Sequence, residues 1–330
     1  MEAGPVSAKQ KGSSRIVFQA VNGFDFEGGH FEDQGISPTG DVVDVSLHEH
    51  RVSLDFTRLE LEYDYTFKEN WDVWIRLPYE IKRRSASIDF VDPVDAKERA
   101  AIEKNQEIHH DSRTLKGLGD AKLLFSHRVL SLLNETDGLD IAFGTSLPTG
   151  ATEEDPFKAG DDGLKHEHVQ FGTGTLDPIL ELYYTAPLSP SFTLGAFGLG
   201  RFPLYENNKT YEGPMEFIAG ANLLYGLSSR FTLQGTLTAY YQGFAHWDGD
   251  RDINSGLRAL NGKVGATFVT KRGTAFNLGV RKPIVQETLD DEGDTFEQGP
   301  TFLLFVAHRF ERKPAHAHQP HDHDEPHDDP

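Results

Sequence analysis

A histidine-rich segment near the carboxyl terminus is the part of the chain whose residue types point most directly to chemistry. Residues 315–330 carry five of the fifteen histidines, interspersed with aspartate and glutamate. Imidazole and carboxylate groups are ligands for Zn²⁺, Cu²⁺ or Ni²⁺. A solvated tail with no role, or one that captures metal without selectivity, is the alternative. The predicted metal ligands are His316, His318, His321, His323 and His327.

The remaining histidines and the hydroxyl residues suggest no catalysis. His109-His110 and His166-Glu-His168 fall in polar segments, where we expect them to be exposed to solvent. Serine, histidine and aspartate occur throughout, but no strand-turn-helix nucleophile elbow and no glycine-rich phosphate loop before a helix is found. We therefore predict a protein that is not an enzyme and that requires no cofactor, with Zn²⁺, Cu²⁺ or Ni²⁺ at the tail as the one metal to test.

A second set of candidate residues is charged and recurs at every other position of predicted strands. Glu60, Glu62 and Asp64, for example, alternate with Leu59, Leu61 and Tyr63. If the apolar faces contact lipid, the charged faces line a lumen, as a path for a substrate or as structural ion pairs. Their mixed signs argue against strong selection of cations or anions. The predicted lumen-lining residues are Glu60, Glu62, Asp64, Asp72, Arg76, Glu80, Lys82, Asp120, Lys122, Arg128, Asp177, Glu181, Arg201, Lys263, Arg281 and Arg309.

The elements that must position these residues are strands, because alternation with a period of two recurs along the chain. A phase slip between Phe56 and Leu59 predicts a β-bulge there. Segment 22–50 reads as a long loop, and 95–104 as a short helix within another loop. The predicted strands are 15–21, 51–67, 71–81, 117–131, 139–147, 175–188, 192–205, 215–227, 231–243, 257–269, 274–284 and 299–310.

The connections between these twelve strands alternate strictly between long and short. An even strand number with short turns on one side and long loops on the other is typical of outer-membrane barrels. A soluble sandwich or lipocalin also alternates, but has no reason to segregate its loop lengths. We predict an all-β fold, a 12-stranded antiparallel up-and-down transmembrane β-barrel with short periplasmic turns and long extracellular loops.

Aromatic residues and the last strand agree with this architecture. Rings cluster near both strand ends, as in the girdles of membrane barrels. The final strand ends in Phe310 on its apolar face, which is how such barrels usually close. The rings near the short turns are Phe67, Trp71, Phe192, Phe231 and Phe310, and those near the long loops are Tyr79, Phe202, Tyr205, Tyr241 and Phe244.

Composition narrows the class of protein further. The net charge of −20 disfavours nucleic acid as a partner, and the apolar runs are far shorter than a membrane-spanning helix needs. Cysteine is absent, so disulfides and thiolate metal sites are excluded. The start of the chain lacks the apolar core of a signal peptide, and we expect an export signal to have been removed from a bacterial outer-membrane protein. The predicted organisation is an N-terminal periplasmic segment (1–14), a barrel (15–310) and a disordered tail (311–330).

Three short motifs carry a resemblance to a known family. They are Gly117-Leu-Gly-Asp120, Leu147-Pro-Thr-Gly150 and Gly172-Thr-Gly-Thr-Leu-Asp177, which fall in this order at strand ends. The chain resembles outer-membrane β-barrel proteins of the MetA-pathway of phenol degradation/transporter family over about residues 117–188. The resemblance implies passage of small, often hydrophobic or aromatic compounds, and it carries no functional residue over to this chain.

Together these observations predict an outer-membrane channel or transporter for small molecules. Its expected partners are outer-membrane lipid, a small-molecule substrate, and the barrel-assembly machinery, which would recognise the strand ending in Phe310. The alternative is a metal-handling protein whose histidine-rich tail binds a divalent transition metal and whose barrel is mainly an anchor.

Overall fold

A computed structural model describes residues 8–109 and 111–311 of the chain. Within them the chain is almost entirely β-structure, with two short helices in the connections. In chain order the elements are β1 (Ser14–Ile36), β2 (Val42–Lys68), β3 (Trp71–Phe90), α1 (Ala96–His109), β4 (Arg113–Leu118), β5 (Ala121–Leu130), β6 (Gly138–Leu147), α2 (Pro156–Asp161), β7 (Pro178–Pro187), β8 (Phe192–Arg201), β9 (Tyr211–Glu212), β10 (Glu216–Ser228), β11 (Phe231–Gln242), β12 (Ala245–Trp247), β13 (Asp250–Asp252), β14 (Leu257–Val269), β15 (Ala275–Thr288), β16 (Thr295–Glu297) and β17 (Thr301–Phe310).

The main sheet closes on itself as a barrel. Each long strand pairs antiparallel with its neighbour in sequence, and β1 pairs with β17 from Ser14↔Phe310 to Gly23↔Thr301. β4 and β5 follow one another along the same side of β3 and act as one strand, and β16 only extends the rim beside β1. The barrel therefore has twelve strands, as the sequence predicted.

The two ends of the barrel differ. The turns at one end, here called the short-turn end, span few residues, and Asn70 (φ 60°) and Gly273 (φ 80°) supply the left-handed backbone that two of them require. The segment that precedes β1 lies against this end, where the Lys9 N–H donates to Asn70 Oδ1 at 2.9 Å. The opposite, long-loop end carries α1, α2 and a three-stranded sheet of β9, β12 and β13.

The strands β1, β2 and β3 reach well past the rest of the barrel at the long-loop end. Segment 22–50 was predicted to be a loop, and that prediction is wrong: β1 continues to Ile36 and β2 begins at Val42, paired as far as Ile36↔Val42. Helix α1 packs against this hairpin, with Ile102 fully buried. Asp95 caps α1 by accepting from the N–H groups of Lys97 and Glu98, while Glu98 accepts from the Asp95 N–H at 3.2 Å. The predicted helix at 95–104 is thus present and longer.

The predicted bulge in β2 is not observed. β2 pairs with β3 without a register shift from His48↔Phe90 to Thr66↔Asp72, and the irregularity lies in β1, between Gly23 and Phe26. The phase slip has another cause. Val52 and Leu54 face the interior and line the cavity, whereas Leu61 and Tyr63 face outward. The apolar side chains of this one strand therefore lie on the inner face at one end and on the outer face at the other.

Side chains alternate between an apolar outer face and a polar inner face. On β3, Ile75 and Leu77 are exposed on the outside, while Asp72 and Arg76 are buried inside. None of the helices in the described part of the chain is long and apolar enough to cross a membrane.

Candidate functional site

The inner face of β3 runs the length of the lumen. Charged side chains point inward from it, two or four residues apart, and from the short-turn end they are Asp72, Arg76, Glu80, Lys82 and Arg84. A cavity of about 660 Å³ occupies the long-loop half, with Glu80, Lys82 and Arg84 in its wall. Predicted lumen residues from elsewhere in the barrel also line it, namely Asp120, Lys122, Glu181 and Arg201. The cavity wall is partly apolar, through Phe26, Val52, Leu54, Phe171 and Phe296.

A layer of ion pairs lies below this cavity. Arg76 donates from Nη1 to Glu181 Oε1 at 2.6 Å and from Nη2 to Glu181 Oε2 at 3.0 Å, which joins β3 to β7. Arg76 Nε also donates to Glu62 at 2.6 Å, and Arg15 links Glu62 to Asp64. Because Arg76 and Glu181 are buried and joined by two hydrogen bonds, this layer links non-neighbouring parts of the barrel wall across the lumen.

A second layer lies nearer the short-turn end. Lys9 reaches into the barrel and bonds Asp72 and Asp140, with the Asp140 contact at 3.0 Å. Arg128 donates to Asp140 from Nε at 3.0 Å, and Thr66 donates to Asp72 at 2.8 Å. Lys9 and Asp140 were missed in the sequence, because a residue outside the predicted barrel and a single aspartate in a short strand give no periodic signal.

Several of the charged side chains around the cavity also form ion pairs. Arg58 bonds Glu60 at 2.8 Å and Glu80 at 3.0 Å, and Lys82 bonds Glu80 at 3.0 Å. On β8, Arg201 contacts Asp177 at 3.3 Å and Glu216 at 3.1 Å. The last three predicted residues lie on the other wall: Lys263 stands over the Phe305 ring, Arg281 donates to Thr301, and Arg309 pairs in register with Arg15.

The three family-like motifs meet at one rim. Asp120 accepts from the N–H of Gly150 at 2.9 Å and from the N–H of Thr173 at 2.7 Å. Asp177 accepts from the hydroxyls of Thr173 and Thr175. A Cβ on Gly172 would lie 2.3 Å from Asp120 Oδ1, so only glycine allows this approach. The motifs thus build a fixed rim beside the cavity rather than an isolated set of turns.

Histidines gather at the long-loop end, where the expectation of solvent exposure is wrong for His109 and His166 but is met by His168, which is exposed. His48 and His50 on β2 are buried, and His166 is nearly so. The ring of His109, at the end of α1, lies 4.5 Å from the ring of His166, and ligand atoms of His109, His166 and His168 all lie within 4.8 Å of one another. His110 and the tail histidines His316, His318, His321, His323 and His327 lie outside the described residues.

The environment of the cluster keeps several of these rings neutral. Burial, reinforced by repulsion from neighbouring histidines, lowers the pKa of His50 to about 3 and the pKa values of His109 and His168 to about 4. His168 retains accessible surface because it faces the cavity, although protein surrounds it. His30 is the exception, since its hydrogen bond to Asp294 raises its pKa.

The closed twelve-stranded antiparallel barrel defines the architecture of an outer-membrane β-barrel. The crystal structure of an outer membrane channel from Pseudomonas putida F1 is similar, with a TM-score of 0.59 over 92% of this chain and 97% of that chain, at 13% sequence identity. At this identity the likeness shows the fold alone.

Other solved structures are more distant. A FadL homologue of Pseudomonas aeruginosa gives a TM-score of 0.43 at 8% identity over 90% of each chain, and the P. putida toluene transporter TodX gives 0.42 at 6% over 92% of each. These scores are too low to support an argument. No protein-family model matches the chain, and no curated protein matches it.

Proposed function

We propose that this protein is an outer-membrane channel for small molecules. The observation that carries the proposal is a closed barrel with an apolar outer surface and a polar lumen that contains a cavity of about 660 Å³. A ring of strands has no unpaired edge, which is the condition for crossing lipid with β-structure.

The outer surface supports a membrane location. Exposed apolar side chains recur along the outer faces of strands on different sides of the barrel, such as Ile75 and Leu77 on β3 and Leu233 and Leu237 on β11. An apolar surface this continuous is rare on soluble monomers. Exposed rings stand near both strand ends, as in interfacial girdles. Near the short-turn end they are Phe67, Phe192, Phe231 and Phe310, and near the long-loop end Tyr79, Phe217 and Tyr241.

The proposed orientation places the short-turn end in the periplasm and the long-loop end outside the cell. Short periplasmic turns and longer extracellular loops are the common arrangement of such barrels. The strand β17 ends in the exposed Phe310, and we propose that the barrel-assembly machinery recognises this end. The cavity then opens towards the external medium and the ion-pair layers face the periplasm.

The cavity indicates which small molecules fit. Apolar side chains such as Val52, Leu54 and Phe171 adjoin the charged groups of Lys82 and Lys122. Lys82 also stands 4.8 Å above the centre of the Phe171 ring. We propose a substrate that combines an apolar or aromatic body with a polar group. Its passage requires the pairs of Arg76 and Lys9 to separate, so transport is gated.

The test is to reconstitute the full-length protein in planar bilayers and in liposomes. We expect insertion, a low and intermittent conductance, and uptake of small aromatic acids into the liposomes. Uptake of a sugar of the same size at the same rate as the aromatic acids would contradict the proposed substrate preference. A soluble β-rich protein that does not insert would overturn the membrane function itself.

The histidine-rich tail supports a second candidate function, the handling of divalent transition metal. Five histidines follow the barrel closely and would lie on the periplasmic side. Deletion of residues 314–330 separates the two functions. A channel keeps its transport after the deletion, whereas a metal-handling protein with an anchoring barrel loses its activity together with its metal binding.

A further inference from the structure

The sequence His-Glu-His occurs twice at the long-loop end, once on β2 (His48–His50) and once in the connection from α2 to β7 (residues 166–168). The two copies have the same local geometry. His48 Nδ1 lies 2.9 Å from the Ser46 carbonyl, and His166 Nδ1 lies 2.9 Å from the Leu164 carbonyl, in each case two residues earlier. The Nε2 atoms within each copy then face one another, at 2.9 Å for His48–His50 and 3.1 Å for His166–His168.

These carbonyl contacts determine where the protons lie. A carbonyl oxygen only accepts, so Nδ1 of His48 and of His166 must carry the proton, and Nε2 of each neutral ring presents its lone pair. A hydrogen bond from one ring nitrogen to a backbone carbonyl is also the device that orients metal-ligating histidines. The first histidine of each copy is therefore held in the tautomer that binds a metal through Nε2.

The spacing of the nitrogens suits a metal ion. Two imidazole nitrogens bound to one tetrahedral zinc at its usual bond length are about 3.3 Å apart, close to the 3.1 Å between His166 and His168. Helix α1 adds His109 as a third nitrogen donor, within 4.8 Å of both. Three histidines with a fourth position left for water or cargo form a familiar class of open zinc site.

Neighbouring residues hold this arrangement in place. The glutamate between the two rings, Glu167, points away and pairs with Arg84 at 2.7 Å and with Arg113. A Cβ on Gly160 of α2 would lie 3.3 Å from both His109 and His166, so the α2 backbone packs directly on the two rings. On the other side the rings of His50 and His30 lie with their centres 5.4 Å apart, and His30 bonds Asp294 at 2.9 Å.

We propose that His109, His166 and His168 form a site for a divalent transition-metal ion of the Zn²⁺, Cu²⁺ or Ni²⁺ class at the long-loop end of the lumen. The pair His48–His50 and His30 supply further imidazoles beside it. Both His30 and His168 line the cavity, so an ion at this site is in contact with the lumen. The site is independent of the histidine-rich tail and does not require the barrel to conduct.

The experiment uses the full-length protein with the five tail histidines replaced by glutamine, so that the tail cannot contribute. Zn²⁺ is titrated calorimetrically against a competing chelator, and Cu²⁺ is added for electron paramagnetic resonance. We expect a saturable site with one equivalent per chain and nitrogen hyperfine splitting from several imidazoles. Loss of a residue that only orients a metal ligand typically weakens metal binding by about 10–100-fold. Replacement of both His166 and His168 by glutamine should weaken it by more than this.

The matched control is His246→Gln, which removes a histidine of β12 outside the cluster of His109, His166 and His168. It should leave binding unchanged. The single variant His168→Gln, at a ring that faces the cavity, serves if the double variant fails to fold, and circular dichroism checks the barrel. Equal binding by His168→Gln and the parent, or no nitrogen splitting, would mean that the rings only share protons, and the site would be rejected.

Discussion

Arg76 on β3 and Glu181 on β7 are joined by two parallel hydrogen bonds of 2.6 and 3.0 Å, although 105 residues separate them in the chain. Both residues lie within the barrel, and Glu181 is only 1% exposed. A buried arginine–carboxylate pair costs desolvation that its own attraction barely offsets, whereas loss of one partner leaves an uncompensated charge. The pair therefore matters more for what its breakage costs than for what its presence adds.

The first prediction is a double-mutant cycle on this pair. Arg76→Met should lower the free energy of unfolding by about 3–5 kcal/mol, because Glu181 then stays buried without its cation. Arg76→Met combined with Glu181→Leu should recover much of that loss. Urea unfolding of the protein in lipid vesicles measures each value.

The exposed pair of Arg51 and Glu49 provides the control for this cycle. Arg51→Met should change the free energy of unfolding by about 1 kcal/mol or less, since surface pairs contribute little. The single variant Glu181→Leu completes the cycle. If the double variant loses as much free energy of unfolding as Arg76→Met and Glu181→Leu added together, the two side chains are not energetically coupled.

The second prediction concerns the close approach of Gly172 to Asp120. Gly172→Ala should destabilise the barrel by about 1–3 kcal/mol, as overpacking typically does. The new methyl would meet Asp120 Oδ1 at 2.3 Å and Gly150 Cα at 2.9 Å. Gly235→Ala, at a strand position with nothing within 4 Å, is the matched control and should not lower stability. The urea midpoints of the two variants give the comparison, and equal midpoints would show that the rim yields.

Much of the barrel was predictable because turns and alternation are local properties. β14 occupies its predicted range of 257–269, and β11 ends one residue before the end of its own predicted range of 231–243. The hairpin of β1 and β2 beyond Gly23 was not predictable in the same way. There Val52 and Leu54 face inward while Leu61 faces outward, so a single strand carries two opposite apolar phases.

The histidine cluster was unpredictable for a different physical reason. His48 and His166 lie 118 positions apart in the sequence, and their proximity depends on how α1 and the α2 connection fold over the barrel. Each His-Glu-His copy was readable as a motif with two rings on one face of an extended chain. Its repetition, rather than either copy alone, was the signal available in the sequence.

The third prediction is a pH effect at the turn between β5 and β6. Burial opposes ionisation of Asp137, but the Tyr184 hydroxyl and the N–H groups of Leu133, Leu132 and Asn134 outweigh it and lower the pKa of Asp137. A folded-state pKa below the unfolded value gives stability that is present above the unfolded pKa of about 3.9 and is lost as the pH falls through the folded value.

Asp137→Asn should therefore be less stable than the parent at pH 7, and the difference should shrink as the pH falls below about 4. Urea midpoints of both proteins across this range test the expectation. Glu135→Gln, which removes an exposed carboxylate from the same turn, is the control and should follow the parent. If the difference in urea midpoint between Asp137→Asn and the parent stays constant with pH, the effect comes from lost hydrogen-bond geometry rather than from the charge of Asp137.

The fourth prediction tests whether the ion-pair layers close the pore. The combined variant Lys9→Ala, Arg76→Ala and Glu181→Ala removes the Arg76–Glu181 pair from one layer and Lys9 from the other. It leaves the apolar outer surface unchanged. We expect longer open times and a larger single-channel conductance than the parent, because the side chains of Arg76, Glu181 and Lys9 bridge strands across the lumen.

Arg51→Ala removes a charge from an exposed pair outside the lumen layers and should conduct like the parent. Circular dichroism and resistance to unfolding in detergent would show whether the triple variant keeps its barrel. An intact triple variant with the conductance of the parent would place the barrier elsewhere, at the long-loop end where Pro156 of α2 and His168 line the cavity. Addition of Zn²⁺ to that variant would then show whether the histidines take part in closing it.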